Sequence, residues 1–309
     1  MPAGSLPEVV YIGNMRSGSA FVRSFLGAHP ETHWTRRAWY FQLGSSDDER
    51  RQTYPRFFEG VPEGRVHVDM YESLFLGQYF RSSPRKEYLD QGNPEWDSSW
   101  AVAPDHDLSE GPMGIDPREV ARRVAACAPR AKVLIVIREQ VSWMQSMFRH
   151  YLAYLPKRRR TLADFSSTLD GQAAWRALRY DDYVEPYLDL FGHEAVHVTL
   201  LEDVARDAQT ELDRLCEFLG VARFQFDRAL WWRNEGMTAE RASRLRYGRL
   251  RGLFRRRDGD RGGALTVDEI ASVREASAES NRRLQELLGV DLGRLGYSLQ
   301  AEAVAGPVR

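Results

Sequence analysis

The stretch VVYIGNMRSGSAFV, residues 9–22, decides the fold because it joins a buried strand to a helix through a loop that contains glycine. Residues 9–12 form a short apolar run, which predicts a strand buried within a sheet. From Phe21 onward, apolar residues recur at helical spacing. Between the two, Gly13 and Gly18 have the G-x-x-x-x-G spacing of a phosphate-binding loop. Such a loop directs backbone N–H groups and a helix N-terminus toward an anion.

The residues around this loop differ from those of a nucleoside-triphosphate site. In such a site the second glycine is followed by Lys, which contacts the phosphates, and by Ser or Thr, which binds Mg²⁺. Here Ser19 and Ala20 follow Gly18, and the cation of the loop is Arg16. The loop therefore predicts an anion site without the triphosphate lysine. The loop alone is also compatible with an ordinary strand-to-helix turn that binds no ligand.

A second cation follows the strongest strand signal in the chain, the five branched apolar residues at 133–137. In a metal-dependent enzyme of this architecture, a strand of this kind ends in an Asp that holds Mg²⁺. Here it ends in Arg138, whose guanidinium can fork onto a phosphate, and Ser146 on the next helix can donate a second hydrogen bond. Two such sites predict a nucleotide with phosphates at two positions. The alternative is that Arg138 pairs with a neighbouring carboxylate.

The remaining apolar segments alternate between strand and helix patterns. Further strands are predicted at 66–70 and 196–201, and helices at Pro117–Cys127, 141–152, 178–191, 210–219 and 281–288. This alternation predicts an α/β fold, a P-loop-type parallel sheet flanked by helices on both faces, in a single domain of residues 1–300. Residues 81–114, rich in Pro, Gly, Ser and Asp, are expected to be an insertion or lid on the acceptor side. Residues 301–309 are expected to be a loose tail.

Composition and charge limit the classes of partner. The 309 residues carry a net charge of −1, so no overall basic field favours nucleic acid. Cys127 and Cys216 lie in apolar helical patterns and are expected to be buried rather than bridged. No apolar run has the roughly 20 residues of a membrane span, and no signal peptide is recognisable, so a cytoplasmic location is expected. The predominance of Arg over Lys favours a bacterial source. A monomer and a homodimer both remain open.

Taken together, the two motifs resemble those of the PAPS-dependent sulfotransferases, where PAPS is 3′-phosphoadenosine-5′-phosphosulfate. Residues 15–21, MRSGSAF, resemble the 5′-phosphosulfate loop of that family. Residues 132–141, KVLIVIREQV, together with Ser146 resemble its 3′-phosphate motif, with the Arg-to-Ser spacing intact. The motifs are most similar to those of the tyrosylprotein, carbohydrate and bacterial branches of the family. Similar stretches follow in the same order as in the family, at 25–30, 180–188, 202–203, 217–221 and 281–289.

The resemblance implies a function and a role for each matched residue. The chain would move the sulfuryl group of PAPS to a hydroxyl of a small-molecule or carbohydrate acceptor and release 3′,5′-ADP, with no metal. Backbone groups of Arg16, Ser17, Gly18, Ser19 and Ala20 would hold the 5′-phosphosulfate. The Arg16 guanidinium would neutralise charge on the leaving oxygen. The 3′-phosphate would be held by Arg138 and Ser146.

The chain departs from the family at the proton acceptor. Many relatives carry a glutamate shortly after the His-Pro step, and here that position is Arg36 or Arg37, which cannot accept a proton. On the strand predicted at 66–70, His67 and Asp69 share one face. Asp69 is the first choice as general base and His67 the second. The alternatives are a histidine bonded within the core and an aspartate that caps the strand. His33 and His106 are weaker candidates.

Two other functions remain open from the sequence. The first is a metal-dependent P-loop nucleotide kinase, which the Ser-Ala after Gly18 and the cation at Arg138 disfavour. The second is a nucleotide-binding protein or scaffold whose catalysis has lapsed, which the missing glutamate keeps open.

Overall fold

The computed structural model describes residues 6–14, 16–38, 46–72, 116–152, 161–167, 169–226 and 264–300. Its centre is a five-stranded sheet in which every pairing is parallel. The strands are β1 (Val9–Gly13), β2 (Thr32–Ala38), β3 (Val66–Glu72), β4 (Lys132–Ile137) and β5 (Val196–Leu200). Their order is β2-β3-β1-β4-β5, so β1 lies between β3 and β4 and their carboxyl ends share one edge.

Helices cover both faces of this sheet. They are α1 (Ser19–Ala28), α2 (Asp47–Thr53), α3 (Pro117–Cys127), α4 (Gln140–Leu152), α5 (Leu162–Ser166), α6 (Leu169–Arg176), α7 (Asp181–Phe191), α8 (Leu201–Arg206), α9 (Ala208–Leu219) and α10 (Val267–Leu288). Short 3₁₀ turns occur at Tyr54–Phe58, His193–Ala195 and Gly293–Leu295. Among the described residues, no helix is both long enough and apolar enough to cross a membrane.

The hydrophobic core lies on both sides of the sheet because successive residues of a buried strand point to opposite faces. Val10 and Ile12 of β1 pack with residues of α3 and α7 and with the Tyr54–Phe58 turn. Val9 and Tyr11 pack on the opposite face with α1 and α9. A third cluster joins α4, α5, α6 and the first half of α10.

The structure confirms the α/β class and the parallel sheet flanked by helices, along with the predicted elements from β1 to α9 that the sequence patterns indicated. Both cysteines are buried, in separate clusters, as predicted. The last helix is longer than predicted, since it begins at Val267. Edge strand β2 was missed, and the predicted strand at 196–201 ends at Leu200, where α8 begins. The segments at 81–114 and 301–309, and His106, lie outside the described residues.

Candidate active site

The loop after β1 is closed by its own hydrogen bonds. Ser17 donates from its backbone N–H (3.3 Å) and from its hydroxyl (2.6 Å) to the Asn14 carbonyl. Arg16 has a φ of 68°, the single positive value for a non-glycine residue in the described part of the chain. Gly18 has a φ of 120°, and a Cβ there would lie 2.9 Å from the Leu201 side chain. The loop is therefore tight, and only glycine fits at position 18, the second glycine of the G-x-x-x-x-G spacing.

Helix α1 starts directly from this loop and offers an N-terminus to an anion. Its N-cap is Gly18, which contributes no side chain, and its first turn contains no acidic residue. The Gly18 carbonyl accepts from the N–H groups of Phe21 (2.9 Å) and Val22 (3.3 Å). The first N–H groups of a helix have no partner within it and carry partial positive charge. Together with the Arg16 guanidinium, they make this loop electropositive.

The structure brings the two predicted sites together. The Arg138 guanidinium donates to the Arg16 carbonyl at 3.3 Å, across 122 residues of sequence. The Arg16 Nε donates to the Ser146 hydroxyl at 3.2 Å. This contact follows from the sheet order, because β1 and β4 are neighbours with Gly13 beside Val136. Arg16, Arg138 and Ser146 are thus three parts of one site at the carboxyl edge of the sheet.

The backbone that carries Arg138 is itself fixed by buried groups. The Tyr180 hydroxyl donates to the Arg138 carbonyl at 2.7 Å, and the Glu139 N–H donates to the Glu202 carboxylate at 2.9 Å. The Tyr297 hydroxyl donates to the other Glu202 oxygen at 3.0 Å. Burial raises the pKa of Glu202 and holds the pKa of Tyr180 and Tyr297 well above the ordinary value, so both phenols keep their protons.

Asn14 leaves one buried polar atom without a partner beside this loop. Its side chain is 3% exposed, and its Nδ2 donates to the Tyr183 hydroxyl at 3.3 Å. Its Oδ1 has no hydrogen-bond partner among the described residues. Turning the amide over would let Oδ1 accept from Tyr183 and would leave Nδ2 as a donor next to the loop. An unpaired buried amide of this kind is suited to a polar ligand.

His150 is a candidate site residue that the sequence reasoning missed. It lies four residues after Ser146 on α4, so both side chains share one helix face. Burial, with a smaller contribution from the Arg16 charge, lowers the pKa of His150 to about 4. The imidazole is therefore neutral near pH 7, and it lies one helical turn from Ser146, the residue that bonds Arg16. The i,i+4 spacing from Ser146 was the signal in the sequence that could have identified it.

The two predicted general bases lie deeper in the sheet. Asp69 is fully buried, and it accepts from the Tyr54 hydroxyl at 2.7 Å and the Thr35 hydroxyl at 3.1 Å. Its register partner in β1 is Val10, three residues before Gly13 and so about 10 Å below the loop. It contacts the 3₁₀ turn on the face opposite α1.

His67 shares this environment. It is 2% exposed, its Nε2 lies 3.1 Å from the Thr35 hydroxyl, and its ring packs against Phe58 and His33. Burial, aided by the Arg65 charge, lowers the pKa of His33. The structure does not bring Asp69 or His67 to Arg16, and their role in proton transfer stays a prediction. Arg36 and Arg37 lie on β2, beside Met70 and Tyr71 of β3.

A parallel sheet with a glycine-containing loop after its central strand, and a cation after the neighbouring strand, is typical of α/β proteins that bind phosphate or sulfate groups at the strand carboxyl ends. The chain belongs to the sulfotransferase family, whose family model matches residues 7–225.

Individual relatives are distant. A heparan sulfate N-deacetylase/N-sulfotransferase 1 of Caenorhabditis briggsae, described as bifunctional, is 22% identical over 242 residues, which are 72% of this chain and 24% of that protein. The chain thus spans about a quarter of the length of this curated relative. The crystal structure of a sulfotransferase from Alicyclobacillus acidocaldarius superposes with a TM-score of 0.57 at 19% identity, covering 94% of this chain and 99% of that one. This likeness concerns the fold.

Proposed function

We propose that the chain moves the sulfuryl group of PAPS to a hydroxyl of a small-molecule or carbohydrate acceptor, without a metal, and releases 3′,5′-ADP. The observation that carries this proposal is the contact chain from Ser146 through Arg16 to Arg138. It puts two guanidinium groups and a hydroxyl around one loop. Arg138 occupies the position where a metal-dependent relative of this architecture would hold Mg²⁺ with an Asp.

The donors present fit a nucleotide that carries a phosphosulfate and a second phosphate. The loop and the N-terminus of α1 supply backbone N–H groups, and the buried Asn14 amide lacks one partner among the described residues. PAPS would supply an activated sulfuryl group with a phosphate as the leaving group. Arg16 would stabilise the charge that develops on the leaving oxygen, where a fixed cation is most effective in a partly buried site. Arg138 and Ser146 would hold the 3′-phosphate.

The acceptor hydroxyl must lose its proton to a neutral imidazole or a carboxylate. Asp69 and His67 remain the candidates from the sequence. Their burial requires the acceptor to reach into the sheet or the strands to open. The position of His150 supports it as a third candidate, because it lies one helical turn after Ser146, which bonds Arg16, and is neutral near pH 7. A bound anion would offset the Arg16 charge and raise the His150 pKa toward the range of an effective base.

The acceptor class rests on the family and on one relative. The name of the relative from Caenorhabditis briggsae specifies heparan sulfate and N-sulfation. We therefore include saccharides with hydroxyl groups and saccharides with amino groups among the acceptors to be tested. The single domain of residues 1–300, a cytoplasmic location, a bacterial source and a homodimer stay predictions from the sequence.

The test is to incubate the purified protein with radiolabelled PAPS and a panel of hydroxylated metabolites, saccharides and amino sugars, with and without EDTA. The expected result is release of 3′,5′-ADP that depends on an acceptor and is insensitive to EDTA. Turnover of ATP that requires Mg²⁺, without turnover of PAPS, would instead identify a kinase. Binding of 3′,5′-ADP without transfer to any acceptor would indicate a protein whose catalysis has lapsed.

A further inference from the structure

The turn from Arg138 to Gln140 is held from several directions by residues far away in the sequence. Tyr180 of the segment before α7 bonds the Arg138 carbonyl, and Glu202 of α8 bonds the Glu139 N–H. The Glu139 carboxylate accepts from the N–H groups of Val141 and Ser142, both at 2.8 Å, and so caps α4. The backbone on either side of Arg138 therefore has little freedom, whereas its guanidinium reaches the loop.

The carboxyl-terminal part of the chain completes this support. Tyr297, which follows α10, donates to Glu202 at 3.0 Å. Asn281 of α10 exchanges two hydrogen bonds with the Gln140 amide, at 2.5 and 3.2 Å, and also donates to the Ser298 carbonyl at 2.9 Å. Gln140 and Asn281 are at most 1% exposed. Residues 281 and 297 both lie beyond the stretch 7–225 that matches the family.

Contacts of this kind matter for a ligand because an arginine side chain loses rotamer freedom when it binds a phosphate. A guanidinium that is already held in its binding orientation loses less rotamer freedom, so its affinity for the phosphate is higher. The Glu202 carboxylate is well suited to hold the turn, since one oxygen accepts from the backbone and the other from Tyr297. Removing the Tyr297 hydroxyl leaves that second oxygen, on a half-buried carboxylate, without its donor.

We propose that Tyr180, Glu202 and Tyr297 are positioning residues that aim Arg138 at the 3′-phosphate, so that the carboxyl-terminal segment sets the selectivity for nucleotides carrying both phosphates over 5′-monophosphates. This inference rests on the proposed function, because it assumes that Arg138 binds the 3′-phosphate. None of the three residues contacts the loop that would hold the 5′ group in the hydrogen bonds of the described residues. Their loss should therefore affect one phosphate and spare the other.

The experiment compares the dissociation constants of 3′,5′-ADP and 5′-AMP by calorimetry for wild type, Tyr297→Phe and Tyr180→Phe. Each variant is expected to bind 3′,5′-ADP about fivefold more weakly, the factor that one hydrogen bond of typical net strength contributes, with 5′-AMP binding unchanged. The matched control is Tyr187→Phe, since Tyr187 is also fully buried on α7 but its hydroxyl has no hydrogen-bond partner among the described residues. It should leave both constants unchanged.

A second arm separates aiming from general loosening of the fold. In an Arg138→Ala background, Tyr297→Phe should have no further effect on 3′,5′-ADP, because the group that it positions is gone. Equal weakening of both nucleotides, or an undiminished effect in that background, would overturn the inference. A wild-type protein that binds 3′,5′-ADP no better than 5′-AMP would instead refute the proposed function. Wild-type selectivity with unchanged variants would refute the positioning role alone.

Discussion

Replacing Arg16 by Gly and by Ala should give two variants that differ in stability but lose turnover to the same extent. Arg16 adopts a φ of 68°, in the left-handed region, and its side chain bonds Ser146. Both variants remove the guanidinium and its hydrogen bond. Only the glycine variant also removes the backbone strain, because glycine has no Cβ to clash in this conformation.

The expected difference can be worked from these two effects. A left-handed conformation costs a non-glycine residue about 1–2 kcal/mol. Glycine loses about 0.5–1 kcal/mol more conformational freedom on folding than alanine does. Arg16→Gly should therefore be more stable than Arg16→Ala by about 1 kcal/mol, which corresponds to roughly 2 °C in melting temperature for a chain of this size. Both variants should lose roughly 10²-fold in turnover, the effect of removing one charge-stabilising contact.

The assay combines thermal melting with release of 3′,5′-ADP from PAPS, using an acceptor found in the panel proposed above. Arg282→Ala, a change at an exposed position of α10, is the control and should match wild type in both measurements. Identical melting temperatures for the glycine and alanine variants would refute the backbone argument. Turnover close to wild type in either variant would remove Arg16 from the mechanism.

Three further predictions concern Arg138, two buried histidines and Asp69. Arg138→Ala should weaken 3′,5′-ADP binding by at least tenfold, since a charge-assisted bond is lost, and unchanged affinity by calorimetry would refute its 3′-phosphate role. Burial holds the pKa of both His150 and His197 at about 4, below the ordinary 6.5, so the stability that each contributes above pH 6.5 is lost as the pH falls toward 4. At pH 5 this loss should be roughly 2 kcal/mol per histidine in denaturant titrations, and His150→Gln should abolish its half of it. Asp69→Asn should lower turnover with 3′,5′-ADP affinity retained; unchanged turnover together with a lower melting temperature would restrict Asp69 to packing.

The sheet could be predicted from the sequence where its strands are buried on both faces. The residues of β1 and of β4 at 133–137 are continuous apolar runs, and all are buried. Strand β2 lacks that signal because it lies at the edge of the described sheet, where β3 is its one partner among the described strands, and because it contains charged and polar residues. The part of α10 before residue 281 was missed for a related reason. Its buried residues include Ser277 and Ser280, which a hydrophobic pattern does not reveal.

The residues of the candidate site also fall into those that the sequence could predict and those that it could not. Arg16, Arg138 and Ser146 follow motifs with fixed local spacing, so the sequence could identify them before their contacts were known. The hydrogen bonds of Tyr180, Glu202 and Tyr297 span 42 to 95 residues. The resemblance covers the stretches at 180–188 and 202–203, but no local pattern predicts which distant group each of these side chains contacts. Long-range contacts depend on the order in which the strands assemble, which sequence periodicity does not specify.

The strand order also determines from which side an acceptor can approach. The loop follows β1, and Arg138 follows β4 on one side of it, so a nucleotide held by both arginines occupies the edge between these strands. The strand on the other side of β1 is β3, and the edge strand beyond it is β2, which carries Arg36 and Arg37. An acceptor that attacks opposite the leaving group must then come over the carboxyl ends of β3 and β2. A general base has to act on that side. Asp69 and His67 lie on β3 but below its carboxyl end, so the acceptor would have to reach down to them. His150 lies on α4, so its side chain would have to reach across the site from the other side.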